Sequence, residues 1–244
     1  MSPLQAVMRR ELRSFFVTPL AWVFLMIFLI MAGMLTFYVG DFYERGQADL
    51  QPFFAMQPWL YLILAPAVSM RMWSEEVKSG SGELLLSMPI SLSQAMLGKF
   101  LAAWLFIGLA LALTFPIWIT VNYLGSPDNG IIVAGYLGSW LMAGAFLAIG
   151  ACLSALTRSQ VVAFILAGTV CFLLILIGQP QVQDFFHGAL PLRVINALGA
   201  LSIMRHFEAI ARGVLDVRDV LYFLLSIVAW LSAGVMLLDL KRMR

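Results

Sequence analysis

The sequence predicts an all-α integral membrane protein with six transmembrane helices, a short helix on the cytoplasmic side and amphipathic helices at the interfaces. Three observations predict it. Apolar residues make up 62% of the 244 and charged residues 11%, against roughly 45–50% and about 25% in a globular protein. The apolar residues fall into charge-free runs long enough to cross a hydrocarbon core of roughly 30 Å. Lys and Arg are distributed unequally between the connections that separate those runs, as expected of a chain oriented by its positive charges.

In chain order, residues 2–16 come first and form an interfacial helix. Leu4, Val7, Met8, Leu12 and Phe15 share one face, and Arg9, Arg10 and Arg13 point to the anionic headgroups. The runs that follow are 20–39, 50–70 with Pro52, Pro58 and Pro66, 100–123 with a kink at Pro116, 131–156, 161–178 and 220–238. With the N-terminus inside, ten Lys and Arg lie inside and five outside, so both termini are expected in the cytoplasm. The 71–98 connection is then cytoplasmic and 179–219 extracytoplasmic, all within one membrane domain over 1–244. In the latter, Ile203, Phe207, Ile210 and Val214 recur at helical spacing with Arg205, Glu208 and Arg212 on other faces, and Gly213 stands near the end. This predicts a second amphipathic helix at the outer interface. Small residues Gly144, Ala148 and Cys152 form a stripe that permits close helix packing in lipid.

Several function classes are excluded by what the spans lack. None contains Asp, Glu, Lys, Arg or His, whereas ion-coupled transporters carry ionisable groups at depth. His187 and His206 stand outside the spans and are expected to have no nearby acidic partner, and Cys152 and Cys171 fall inside apolar runs. Neither pair reads as a metal site or a catalytic dyad. Gly98-Lys99 fails the phosphate-loop pattern, which needs Ser or Thr after the lysine and a second glycine before it. A net charge of +2 does not point to nucleic acid. The chain is therefore expected to hold no catalytic residue, cofactor or metal.

The run Arg71-Met-Trp-Ser-Glu-Glu-Val-Lys-Ser-Gly-Ser-Gly-Glu-Leu-Leu-Leu-Ser-Met-Pro89 concentrates charge at a membrane exit. A Gly80–Gly82 turn follows, and Glu83 then suits the positive N-terminus of a short helix that Pro89 would stop. This run resembles the coupling region of ABC-2 type transporter permeases. The likeness rests on Glu75-Glu76, Ser79-Gly80-Ser81, Glu83-Leu84-Leu85-Leu86, Pro89, Ser91 and Gly98-Lys99-Phe100. Ser81 stands where Thr is usual and Gly82 where a larger apolar residue is usual. The stretches Glu11–Ala21 and His206–Phe223 are similar to those of the gliding-motility-associated, GldF-like branch.

The resemblance implies a half-transporter of a bacterial cytoplasmic membrane that works as an exporter. Glu75, Glu76, Lys78, Ser79, Gly80 and Glu83 would contact a separate ATP-binding subunit, which would hold ATP and Mg. A second permease copy or paralogue and a GldG-like accessory membrane protein are further implied partners. The alternative is a non-transporting membrane subunit of an ATP-driven cell-envelope machine.

Overall fold

The computed structural model describes residues 2–40, 42–44, 46–79, 91–179, 181–182, 191, 193 and 199–242. Gly80, Glu83, the helix expected after Gly82 and His187 lie outside the described residues. Among the described residues the chain is helical throughout, without strands.

Helix α1 (Pro3–Val17) starts at a capping box in which Ser2 and Gln5 satisfy each other's backbone N–H, with Pro3 at the first helical position. It stops because Thr18 precedes Pro19, and a residue before proline avoids the helical region. Thr18 is extended, and α2 (Pro19–Met34) starts at the proline and closes on a wider π-type turn over Leu35–Val39. The Thr18-Pro19 pair thus builds an elbow between an interfacial helix and the first span.

Helix α3 (Gln51–Ser69) carries Pro58 and Pro66 inside it, and α4 (Arg71–Ser79) follows after Met70. Helix α5 (Leu92–Ala112) is continued by α6 (Phe115–Leu124), which begins anew beside Pro116. Helix α7 (Asn129–Leu156) is capped by Asp128, whose carboxylate accepts from the Gly130 and Ile131 amides. Then come α8 (Gln160–Leu176), α9 (Ile203–Ala211) and α10 (Val217–Arg242). Gly213, at φ +87°, ends the α9 region in the left-handed conformation that glycine tolerates.

Five helical stretches are long and apolar enough to cross a membrane: Pro19–Val39, Gln51–Lys78, Leu92–Leu124, Asn129–Leu156 and Val217–Lys241. The sixth, α8, has 17 residues, a rise of about 25 Å at 1.5 Å per residue, close to the lower limit for a span. Each of the six charge-free runs falls on one of these helices.

Helix α7 is the axis of the bundle. Every residue from Met142 to Ala155 is buried, so the helix is enclosed on all sides. It runs parallel to α3 in a fixed register: Phe54 faces Gly135, Ser69 faces Gly150 and Trp73 meets Ser154. A Cβ on Gly150 would collide with the Ser69 side chain, so glycine is what lets these backbones approach. On its other flank Gly144 meets Ile227 of α10 and Trp104 of α5, while the Cys152 backbone abuts Gly234 of α10. Trp104 and Trp140 stack at 4.3 Å, each indole N–H donating to the other residue's carbonyl, which ties α5 to α7. Helices α2 and α10 stand at the rim and keep wide apolar faces uncovered, among them Met26, Ile30, Leu225 and Val228.

The helix predicted at the outer interface packs differently from expectation. Ile203, Phe207 and Ile210 are fully buried, and Phe207 and Ile210 press on Gly138 of α7. The apolar face of α9 is therefore covered by protein rather than by lipid. Val214, placed on that face by its spacing, is exposed beyond the helix end.

Candidate functional site: a charged knot at the base of the 71–79 arm

The sequence reading starts the third span at Phe100, with Lys99 in the preceding connection. The structure starts α5 at Leu92, because Ser91 and Gln94 form a capping box of the same kind as Ser2 and Gln5. Lys99 is thereby carried two turns into the helix, where its side chain is only 5% exposed. Likewise, Arg71 to Ser79 form a helix rather than a loop. Met72, Trp73 and Ser74 are buried on one side of it, and Arg71, Glu75 and Lys78 are exposed on the other.

The Lys99 ammonium donates to Glu76 Oε1 at 2.5 Å and to the Met72 carbonyl at 2.7 Å, both on α4. Glu11 of α1 lies 3.7 Å away on another side. The Trp73 ring covers the cation at 4.9 Å, and its indole N–H donates to Met96 Sδ at 3.1 Å. A buried ammonium is stable only when its donors are satisfied and its charge is compensated. Two carboxylates, a carbonyl and an aromatic face supply that here. Gly98 makes the Glu11 approach feasible: a Cβ there would lie 2.8 Å from Val7, so its absence lets α1 lie close along α5.

Helix α4 is held on two more sides. Successive residues on a helix point about 100° apart, so Glu75 and Glu76 serve different neighbours. Glu75 lies 3.7 Å from Arg71 and accepts from the Gln160 side-chain amide at 2.5 Å, at the start of α8. Gln160 in turn accepts from Arg71. The Ser154 hydroxyl of α7 accepts from the Trp73 and Ser74 amides at 2.9 and 3.2 Å. A new helix begins there after Met70 and its first amides have no intrahelical carbonyl to reach. Nearby, Lys241 at the end of α10 donates to the Ala155 and Leu156 carbonyls, both at 2.8 Å, closing the exposed end of α7.

The arm is thus tied to α1 and α5 through Lys99, to α7 through Ser154 and to α8 through Gln160. Its far side opens on a groove of about 580 Å³ bounded by Ser74, Glu75, Lys78 and residues 157–161. Among the described residues no group of three or more His, Cys, Asp and Glu is placed to hold a metal. In this arrangement charged groups bond α4 to its neighbours.

A family profile described as ABC-2 family transporter protein matches residues 5–241. The chain belongs to that family. No curated protein matches it. In this ABC-2 family protein, Glu75, Glu76, Lys78 and Ser79 of the predicted contact set sit together on α4, whereas Gly80 and Glu83 fall outside the described residues. Sequence reasoning missed Glu11, Lys99, Ser154 and Gln160 as parts of this site. The capping box at Ser91 was the readable signal for Lys99; the other three meet α4 only through tertiary packing.

His206 needs a correction. It was read as lacking an acidic partner, yet its Nδ1 lies 2.6 Å from Asp219 Oδ1. Its Nε2 is 3.0 Å from the Ala200 carbonyl, and its ring stacks on Tyr222 at 4.0 Å. The turn between α9 and α10 brings Asp219 back over the helix. This contact sits at the opposite end of the bundle from Lys99 and links α9 to α10.

Proposed function

We propose that this ABC-2 family protein is the transmembrane permease subunit of an ATP-driven exporter, powered by a separate ATP-binding subunit docked from the cytoplasm on residues 71–98. The observation that carries this reading is the attachment of α4. An arm bonded at once to α1, α5, α7 and α8 passes a push at its tip to most of the bundle, whereas a solvated loop would absorb it. Closure of the ATP-binding subunits displaces the chain beyond Ser79. Helix α4 tilts, and the Lys99–Glu76 and Ser154 attachments shift α5 and α7 against the rim helices. The cargo path then changes from inward- to outward-facing.

The proposal extends to orientation and partners. The Lys99 end of the bundle, with both termini, faces the cytoplasm of a bacterial cell, as the excess of Lys and Arg at that end supports. A second permease copy or paralogue completes the pathway. The likeness of Glu11–Ala21 and His206–Phe223 to the GldF-like branch suggests an accessory GldG-like protein at the 179–219 segment.

Affinity purification of the chain from gently solubilised native membranes, with all co-purifying proteins identified, tests this. The expected result is an ATP-binding subunit in near one-to-one ratio. Its absence from preparations in several detergents and in nanodiscs would overturn the proposal.

A further inference from the structure

Beside the Lys99 knot, α1 to α5 line a half-open cavity of about 330 Å³, the volume of roughly ten liquid waters. Its two halves differ in chemistry. One is lined by Arg10, Arg71 and Lys99 together with Glu11, Glu75 and Glu76, the other by Phe15, Phe24, Val68 and Phe106. The cavity lies under the Thr18-Pro19 elbow, where an interfacial helix turns into the first span. That is the depth at which a bilayer changes from headgroup to acyl chain.

Three cations and three carboxylates line the polar half, and this balance selects among ligands. An anionic headgroup would add negative charge beside three carboxylates, and a cationic amphiphile would add positive charge beside three cations. A head that carries both signs adds neither. Lys99 donates to Glu76 and to the Met72 carbonyl. Arg10 lies 3.5 Å from Glu11, and Arg71 lies 3.7 Å from Glu75 and donates to Gln160; each guanidinium carries five N–H donors, so both keep donors for the cavity, from two different helices. Guanidinium groups suit a phosphate, which they bond with paired N–H donors. Arg10 and Lys99 both approach Glu11 through Oε1, at 3.5 and 3.7 Å, and its second carboxylate oxygen is the one offered to an ammonium, whose N–H donors bond it where a quaternary choline cannot.

We propose that this cavity binds a phospholipid of the adjacent leaflet with a phosphoethanolamine-type headgroup. Its phosphate lies between Arg10 and Arg71, its ammonium at Glu11, and the start of one acyl chain lies along Phe15, Phe24 and Val68. Such a lipid braces the elbow against α3 and α4. The inference stands independently of the transport reading, since it concerns the site alone.

Native mass spectrometry of the purified full chain tests it, with equimolar phosphatidylethanolamine, phosphatidylcholine and phosphatidylglycerol supplied in detergent. The expected result is retention of phosphatidylethanolamine over both others by on the order of ten-fold, the weight of one charge-assisted hydrogen bond. Arg10→Gln and Arg71→Gln should each bring it down towards the phosphatidylcholine level. Both side chains are well exposed, so the folded chain is retained and its unchanged melting temperature checks this. Arg212→Gln, at the far end of the bundle, should change nothing. Free O-phosphoethanolamine in millimolar excess should leave the bound lipid in place. Equal or stronger retention of phosphatidylglycerol would overturn the proposal in favour of a general basic surface. Displacement by free phosphoethanolamine would overturn it in favour of a soluble zwitterion, and indifference to both arginine substitutions would remove the assigned contacts.

Discussion

Helices α1 and α9 have similar sequence patterns and are held in opposite ways. Both are short and amphipathic, with arginine on the polar face (three in α1, Arg205 in α9), and each precedes a span at its own end of the bundle. Helix α9 is held by packing: Ile203, Phe207 and Ile210 are fully buried and the glycine at 138 receives them. Its Glu208 pairs on the surface with Arg212, the residue that caps the helix. Helix α1 buries Val7 against Gly98 of α5, keeps Arg9, Arg10 and Arg13 exposed, and adds Glu11 near Lys99 and the Phe15 and Phe16 rings against Phe106 at 5.1 and 6.2 Å. A helix fixed by interlocking side chains has one position. Helix α1 rests mainly on one partner helix, α5, with a charged contact at 3.7 Å beside the packing, and it lies at the end where α4 is proposed to move.

Four substitutions probe that contrast, in order of expected effect. Lys99→Met removes the cation between α1, α4 and α5 and should destabilise the chain by about 3–5 kcal/mol, as expected when one member of a buried ion pair is lost. Protease should then reach α1 and α4 while α9 stays protected. Gly138→Val should do the reverse at a cost of about 1–3 kcal/mol from overpacking, since a Cβ there meets Ile210 at 2.7 Å. His206→Phe keeps the stack on Tyr222 but loses the bond to Asp219. A loss of about 1–2 kcal/mol is expected, read as a lower unfolding midpoint with faster exchange at the α9–α10 turn. Glu208→Gln removes an exposed i,i+4 pair and should shift stability by about 0.5 kcal/mol or less. Equal exposure of both helices in Lys99→Met and in Gly138→Val would erase the distinction.

The spans were legible because lipid imposes a length and a charge rule that any apolar run must obey. The site was legible only where its residues are consecutive. Glu75, Glu76 and Lys78 announced themselves as charge at a membrane exit, but their partners Glu11, Lys99, Ser154 and Gln160 stand 23 to 89 residues from some member of α4 or are joined to it through Lys99. No local pattern encodes such pairings. Lys99 was misplaced for a local reason, since the charge-free criterion began its helix at Phe100 while the Ser91–Gln94 box begins it at Leu92. The same criterion began the sixth span at residue 220 and left out Val217 and Asp219, so the His206–Asp219 contact was hidden. Amphipathic spacing identified the apolar faces of α1 and α9 but could not say whether lipid or protein would cover them.

The most direct test of the central claim compares the two ends by cross-linking in native membranes. Lys78→Cys places a thiol on the exposed side of α4, Arg212→Cys places one beyond α9, and the native Cys152 and Cys171 are both buried. The account predicts that a thiol-to-amine cross-linker joins position 78, and not position 212, to an ATP-binding subunit. Capture of that subunit from position 212 with none from position 78 would contradict it.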